Sequence, residues 1–191
     1  MIYFENDDIV IRDMISSDAQ TITAEEIKQG WNQSTEKYEM RLKHQSEGIA
    51  YAIVAEYKRK VAGYISVYLN PNDGAFAHQG IPEIVDLGVL EKYRRKGIGS
   101  KLMDVAESIA AKFSDTVCLS VGLHNGYGAA QRMYVKRGYI PDGSGVWYGT
   151  RVCPQYESCC NDEDLVLFFS RRLDVNQGNQ EPGDGSPVKG T

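Results

Sequence analysis

PEIVDLGVLEKYRRKGIGSKLMDVAESIAAKF, Pro82 to Phe113, changes its hydrophobic period once, and that change decides the fold. Ile84 to Leu90 is a short run rich in Val, Ile and Leu, which predicts a buried strand. From about Ser100, the apolar residues Leu102, Ala106, Ile109 and Phe113 recur at helical spacing and predict an amphipathic helix. The connection, Glu91 to Gly99, contains Arg94-Arg95-Lys96-Gly97-Ile98-Gly99. Glycines just ahead of a helix let the backbone curl until successive N–H groups point outward at the positive end of the helix dipole. Three cations beside that end make an anion site suited to phosphate or pyrophosphate. Taken alone, the pattern also fits an ordinary strand-to-helix connection. Two nucleotide motifs are excluded. A P-loop needs Gly-Lys-Ser/Thr where this chain has Gly99-Ser100-Lys101, and the dinucleotide fingerprint needs a third glycine where it has Leu102.

Upstream, Ile9 to Arg12 predicts a short strand. Two polar helices follow, about Asp18 to Gly30 and Ser34 to Gln45, the first with Asp18 or a preceding serine as N-cap. Ile49 to Glu56 and Val61 to Leu69 predict an antiparallel hairpin across a short polar link. Downstream, Thr116 to Val121 is a buried strand, and Tyr127 to Arg137 a helix closed at Gly138. This βαβα order makes the strands at Ile84 and Thr116 parallel neighbours. Val146 to Tyr148 and Asp164 to Ser170 are the last strands, separated by a long loop, Gly149 to Asn161. The fold class expected is α/β (α+β): a mixed, mostly antiparallel central sheet with one parallel pair, flanked by helices.

The 191 residues, 42% hydrophobic and 25% charged, suit one globular domain over residues 1–173. The tail, 174–191, is rich in glycine and nearly free of apolar side chains, so it reads as disordered or as an expression remnant. A net charge of −5 argues against a dedicated nucleic-acid binder and is compatible with a cationic substrate. No window approaches the roughly 20 apolar residues of a membrane span. The N-terminus carries no basic-then-apolar leader, so a cytoplasmic location is expected. Cys118 reads as a buried thiol. Cys153, Cys159 and Cys160 crowd one loop without a CxxC pair or a nearby histidine, which predicts free thiols and no metal.

Arg94-x-x-Gly97-x-Gly99 after Leu87-Gly88-Val89 resembles the acyl-CoA signature of the GNAT superfamily of N-acetyltransferases. Asn125, Ala130, Tyr134 and Gly138-Tyr139 fall where that family's second motif places Asn, Ala, Tyr and Gly-aromatic, and the element order is similar from Ile9 to Leu173. The resemblance implies acetyl-CoA as co-substrate. Arg94, Arg95, Lys96, Gly97, Ile98, Gly99 and Ser100 would hold its pyrophosphate. Leu87, Gly88 and Val89 would line the pantetheine, and Asn125 and Ala130 would complete that side. Glu83, eleven residues before Arg94, matches the general-base position. Asp86 competes with it, on the opposite strand face by simple alternation. Tyr134 matches the general acid. Trp31 and Tyr38 lie in the region that walls the acceptor site.

The function expected is therefore direct transfer of an acetyl group to a primary amine in a ternary complex, with a cationic small molecule as acceptor. A homodimer is the protein partner expected. The alternative is a non-catalytic acyl-CoA-binding sensor on the same fold.

Overall fold

Every strand read from the sequence is present in the computed structural model, which describes residues 1–173, and two more join them. The tail from Asp174 lies outside the described residues. The order is β1 (Ile2–Glu5), β2 (Ile9–Asp13), α1 (Ser16–Lys28), α2 (Thr35–Ser46), β3 (Ala50–Tyr57), β4 (Lys60–Tyr68), β5 (Glu83–Val89), α3 (Ile98–Ala110), β6 (Thr116–Gly122), α4 (Gly128–Lys136), β7 (Ile140–Tyr148), β8 (Arg151–Val152) and β9 (Leu165–Arg172). Short 3-10 turns at Glu91–Tyr93 and Asn125–Tyr127 precede α3 and α4. The nine strands form one sheet in the order β1-β2-β3-β4-β5-β6-β9-β7-β8. Among the described residues only β5 and β6 pair in parallel; every other pairing is antiparallel.

Period-two alternation makes the layers. Ile53, Ala55, Ile65 and Val67 point to one face of the β3–β4 hairpin, and Ala52, Val54 and Tyr64 to the other. A sheet apolar on both faces needs cover on both. Leu102, Met103, Ala106 and Ile109 of α3 cover the first face, and Ala19, Ile22 and Tyr38 of α1 and α2 cover the second. Full burial of each Leu, Ile or Met among them contributes roughly 1.5–3 kcal/mol. The hairpin closes through Lys58 and Arg59, both at positive φ, which matches the twist of the flanking strands.

Buried carboxylates lock these layers. Glu26 of α1 is fully buried and accepts hydrogen bonds from the Tyr38 (2.6 Å) and Tyr64 hydroxyls. Glu107 of α3 accepts from Arg137 (2.6 Å), Arg171 (2.9 Å) and Tyr139 (3.1 Å), joining α3 to α4 and β9. Gly138 ends α4 at φ +88°, as its position suggests.

Several local expectations are corrected. Ile15, not Asp18 or a serine, occupies the N-cap of α1; Asp18 sits at the third helical position. From there its carboxylate accepts the Ile15 N–H (2.8 Å) and pairs with Arg12 (2.7 Å). Phe113 lies beyond the end of α3 and is 48% exposed, resting against Tyr51 rather than in the core. Cys153 and Cys159, expected as free thiols, are joined in a disulfide across a tight six-residue span, leaving Cys118 buried and Cys160 exposed.

Gly88 of β5 approaches the ring of Tyr64 so closely that an added Cβ would fall inside it. Tyr64 is held by Glu26 and has no room to move. Gly88→Ala is therefore expected to cost roughly 1–3 kcal/mol through overpacking, lowering Tm by several degrees. An unchanged Tm in calorimetry would contradict this packing.

Candidate active site

β5 departs from a regular strand at Asp86. Val85 pairs with Ser66 and Gly88 with Tyr64, so Asp86 and Leu87 together oppose Ile65 in a β-bulge. Asp86 has φ +57°, a region that non-glycine residues enter at a cost. Its side chain explains why it stays there. The carboxylate pairs with Lys37 (3.1 Å) and with Arg41, whose Nε lies at 2.9 Å, both from α2. Arg41 also donates to the Tyr68 hydroxyl, which contacts His44 Nδ1 at 2.6 Å. Burial works to raise the Asp86 pKa, but Lys37 and Arg41 outweigh it and hold the carboxyl below its ordinary value. Asp86 is thus ionised and committed to two cations. It clamps α2 onto the bulge and has no lone pair suited to taking a proton near neutrality.

The bulge also overturns the expectation that Glu83 and Asp86 lie on opposite faces. Glu83 stands opposite Tyr68 in the ladder, on the side where Asp86 meets α2. Glu83 is only 9% exposed, has no hydrogen-bond partner among the described residues, and lines a cleft of about 290 Å³. Burial first, then the charges of Asp73 and Asp86, push its pKa from 4.5 to about 7, against the opposing pull of Arg41. Two carboxylates three residues apart are driven in opposite directions, the arrangement that separates a proton acceptor from a fixed charge.

The rest of the cleft comes from other parts of the chain. Ser120, Val166 and Phe168 form its floor, Asp73 and Gly74 come from the loop before β5, and Gly149, Thr150 and Asp164 from the loops flanking β8. Phe76 and Trp147 pack edge-on against Phe168. The turn residues Asp73-Gly74 and the length of the 149–161 loop were the only signals in the sequence.

At the other end of β5, the anion turn has the geometry that its glycines suggest. Gly97 caps α3 at φ +78°, and a Cβ there would meet open space. The first turn of α3 has no acidic residue and no side-chain cap, so the N–H groups of Ile98, Gly99 and Ser100 face outward. Arg94, Arg95 and Lys96 surround them, all exposed. The parallel β5–β6 ladder extends only over Glu83–Cys118 and Ile84–Leu119. Beyond Ile84 the two strands diverge, leaving the edge of Leu87, Gly88 and Val89 outside that ladder. Gln29 supplies one further donor near the turn. Its Oε1 accepts the Glu91 N–H (3.0 Å), and its buried Nε2 has no partner among the described residues.

Of the remaining candidates, Tyr134 on α4 is 6% exposed, and burial pushes its pKa up to about 12. Its hydroxyl makes no hydrogen bond among the described residues, and its ring packs edge-on against Tyr139. Asn125 is exposed at the 3-10 turn ahead of α4, and Ala130 packs against the core from α4. Trp31 lies under the guanidinium of Arg94, 5.7 Å from its ring centroid, at the anion turn. Tyr38 is corrected: it is 1% exposed and spends its hydroxyl on Glu26, so it is a core residue and not an acceptor contact.

A family model described as the acetyltransferase (GNAT) family matches residues 15–139. The chain belongs to the GNAT acetyltransferase family. The uncharacterized N-acetyltransferase CT2212 of Chlorobaculum tepidum is 29% identical over 116 residues, covering 59% of this chain and 68% of that protein. Among solved structures, one similar fold is the Salmonella typhimurium acetyltransferase that modifies the N-terminal serine of ribosomal protein L7/L12. It has a TM-score of 0.68 and 14% identity over 91% of this chain and 100% of that one. YncA of Salmonella typhimurium, a putative acetyltransferase solved with acetyl-CoA, has a TM-score of 0.63 and 17% identity over 94% and 100% of the two chains. Both share this GNAT fold.

Acetyl-CoA is the co-substrate of this GNAT acetyltransferase, and the geometry fits it. An open Gly97, three exposed cations and outward N–H groups suit a pyrophosphate, and the strand edge beyond Ile84 suits an extended amide-bearing arm. Among the described residues no cluster of His, Cys, Asp or Glu is arranged to hold a metal.

The Glu83 shift has a consequence for stability. A carboxyl with a raised folded-state pKa binds more protons folded than unfolded between about 4.5 and about 7, so its contribution to stability falls as pH rises through that window. Glu83→Gln should therefore lessen the fall of Tm across this window, and Tm should exceed that of the wild type at pH 8. Parallel pH profiles for the two proteins would contradict the shift.

Proposed function

We propose that the protein transfers the acetyl group of acetyl-CoA directly to a primary amine of a small cationic molecule, with both substrates bound together. The observation that carries this reading is Glu83, a carboxylate nine-tenths buried, facing an open cleft with a pKa near 7. An ammonium has almost no free base at neutral pH, so transfer needs a proton acceptor whose pKa matches the working pH. Asp86 is excluded from that role by Lys37 and Arg41.

The residues divide the work. Acetyl-CoA supplies the activated thioester. Glu83 takes the proton from the acceptor ammonium, freeing the nitrogen lone pair for the new N–C bond. As the C–S bond breaks, Tyr134 is the donor for the thiolate; burial keeps its phenol protonated throughout the working range. Arg94 to Ser100 anchor the pyrophosphate through charge and backbone N–H groups. Leu87 to Val89, on the strand edge beyond the β5–β6 ladder, would pair with the pantetheine arm and offer a backbone N–H to the thioester carbonyl. Cys118 is poorly suited to a covalent intermediate, since burial raises its thiol pKa.

Coenzyme A release, measured with a panel of amines and with an N-terminal serine peptide, tests this reading. With an amine acceptor, kcat/KM should rise about tenfold per pH unit below 7 and level off above it. Glu83→Gln should lower kcat about 10²- to 10⁴-fold, and Tyr134→Phe should lower it as well. Full activity in both variants, or turnover of the peptide alone, would contradict it.

A further inference from the structure

The acceptor cleft has an unbalanced charge. Among the described residues its lining contains three carboxylates, Asp73, Glu83 and Asp164, and no lysine or arginine. Arg41, the cation felt by Glu83, is already committed to Asp86 and Tyr68. The carboxylates of Asp73 and Asp164 have no hydrogen bond or ion pair among the described residues. Between these groups lies an apolar floor of Val166 and Phe168, the latter braced by Phe76 and Trp147. The two ends of the cleft differ. Glu83 is deeply buried and unpartnered, whereas Asp73 and Asp164 sit exposed at the mouth.

We propose that the acceptor is a short aliphatic diamine or polyamine, bound at two points: the reacting amine at Glu83 and a second ammonium at Asp73 and Asp164. This rests on the acetyl-transfer reading and goes further by naming what holds the part of the acceptor that does not react. A single ammonium at Glu83 would make no use of the two carboxylates at the mouth. Two ammonium groups separated by methylenes match charge at both ends and apolar surface in the middle. The apolar lining of Val166 and Phe168 suits the methylene chain, and a cavity of about 290 Å³ accommodates a chain of several carbons. Fixing the distal cation places the reacting nitrogen against Glu83 without drawing on the chemistry itself, which is a positioning gain. The mouth is solvent-exposed, so the attraction there is screened by salt.

The test compares 1,4-diaminobutane with n-butylamine, which differ by the second ammonium alone. Calorimetric titration of each into the protein without acetyl-CoA reads binding, and coenzyme A release reads turnover. The diamine should bind about 10- to 100-fold more tightly, and the margin should shrink as salt is raised. In Asp73→Asn/Asp164→Asn the ratio should fall toward unity; both positions are exposed, so the fold is expected to survive. Equal affinity for the two amines in the wild type, or a preference that persists in the double variant, would overturn the proposal. Preferential binding of the N-terminal serine peptide over the diamine would overturn it too. If neither amine were acetylated, the acetyl-transfer reading would fail, while the binding comparison would still decide this one.

Discussion

The ion cluster at the β5 bulge is the constraint on which the site depends. Asp86 adopts a left-handed backbone conformation in the middle of the sheet, and only its pairing with Lys37 and Arg41 offsets that strain. The same pairing docks α2 against the sheet, and through Tyr68 and His44 it reaches the adjacent strand. The bulge inserts one extra residue into β5, so Glu83 and Asp86 end on one face, and Arg41 acts on both carboxyls. Removing one member of such a cluster would leave a buried charge uncompensated.

From that constraint the chemistry divides. Asp86 is surrounded by cations and stays charged. Glu83 lacks a partner, is buried, and faces other carboxylates, so its proton is held to about neutral pH. One short strand therefore carries a fixed charge and a carboxyl with a raised pKa, while its far end leads into the anion turn at Gly97. Beyond Ile84, β5 is released from β6, which leaves its edge available between these two stations. In this way the sheet sets the Glu83 cleft and the anion turn on either side of the same three residues, Leu87 to Val89.

The core of the fold was legible because its signals are local. Ile84 to Leu90 and the Leu102–Ile109 stripe reveal their periods without help from other segments, and Gly97 and Gly99 mark the turn between them. β1 and β8 were missed, since four and two residues carry too little pattern to separate from a loop. The side of Asp86 was misread because alternation holds only in a regular ladder, and the bulge depends on pairing with β4. Tyr38 was assigned to the acceptor wall because sequence cannot show that its hydroxyl meets Glu26 from another helix. The cleft lining was the least legible part. Asp73, Ser120 and the Asp164–Phe168 stretch come from three separate segments, and the sheet order brings them together.

The claim that Glu83 is the proton acceptor is tested most directly by titrating its side-chain carboxyl by carbon-detected NMR in the protein with no substrate bound. The account predicts a midpoint near 7, moving toward the ordinary carboxylate range when Asp73 is changed to Asn. A midpoint between about 4 and 5 in the wild type would contradict it, because Glu83 would then be an ordinary solvated carboxylate.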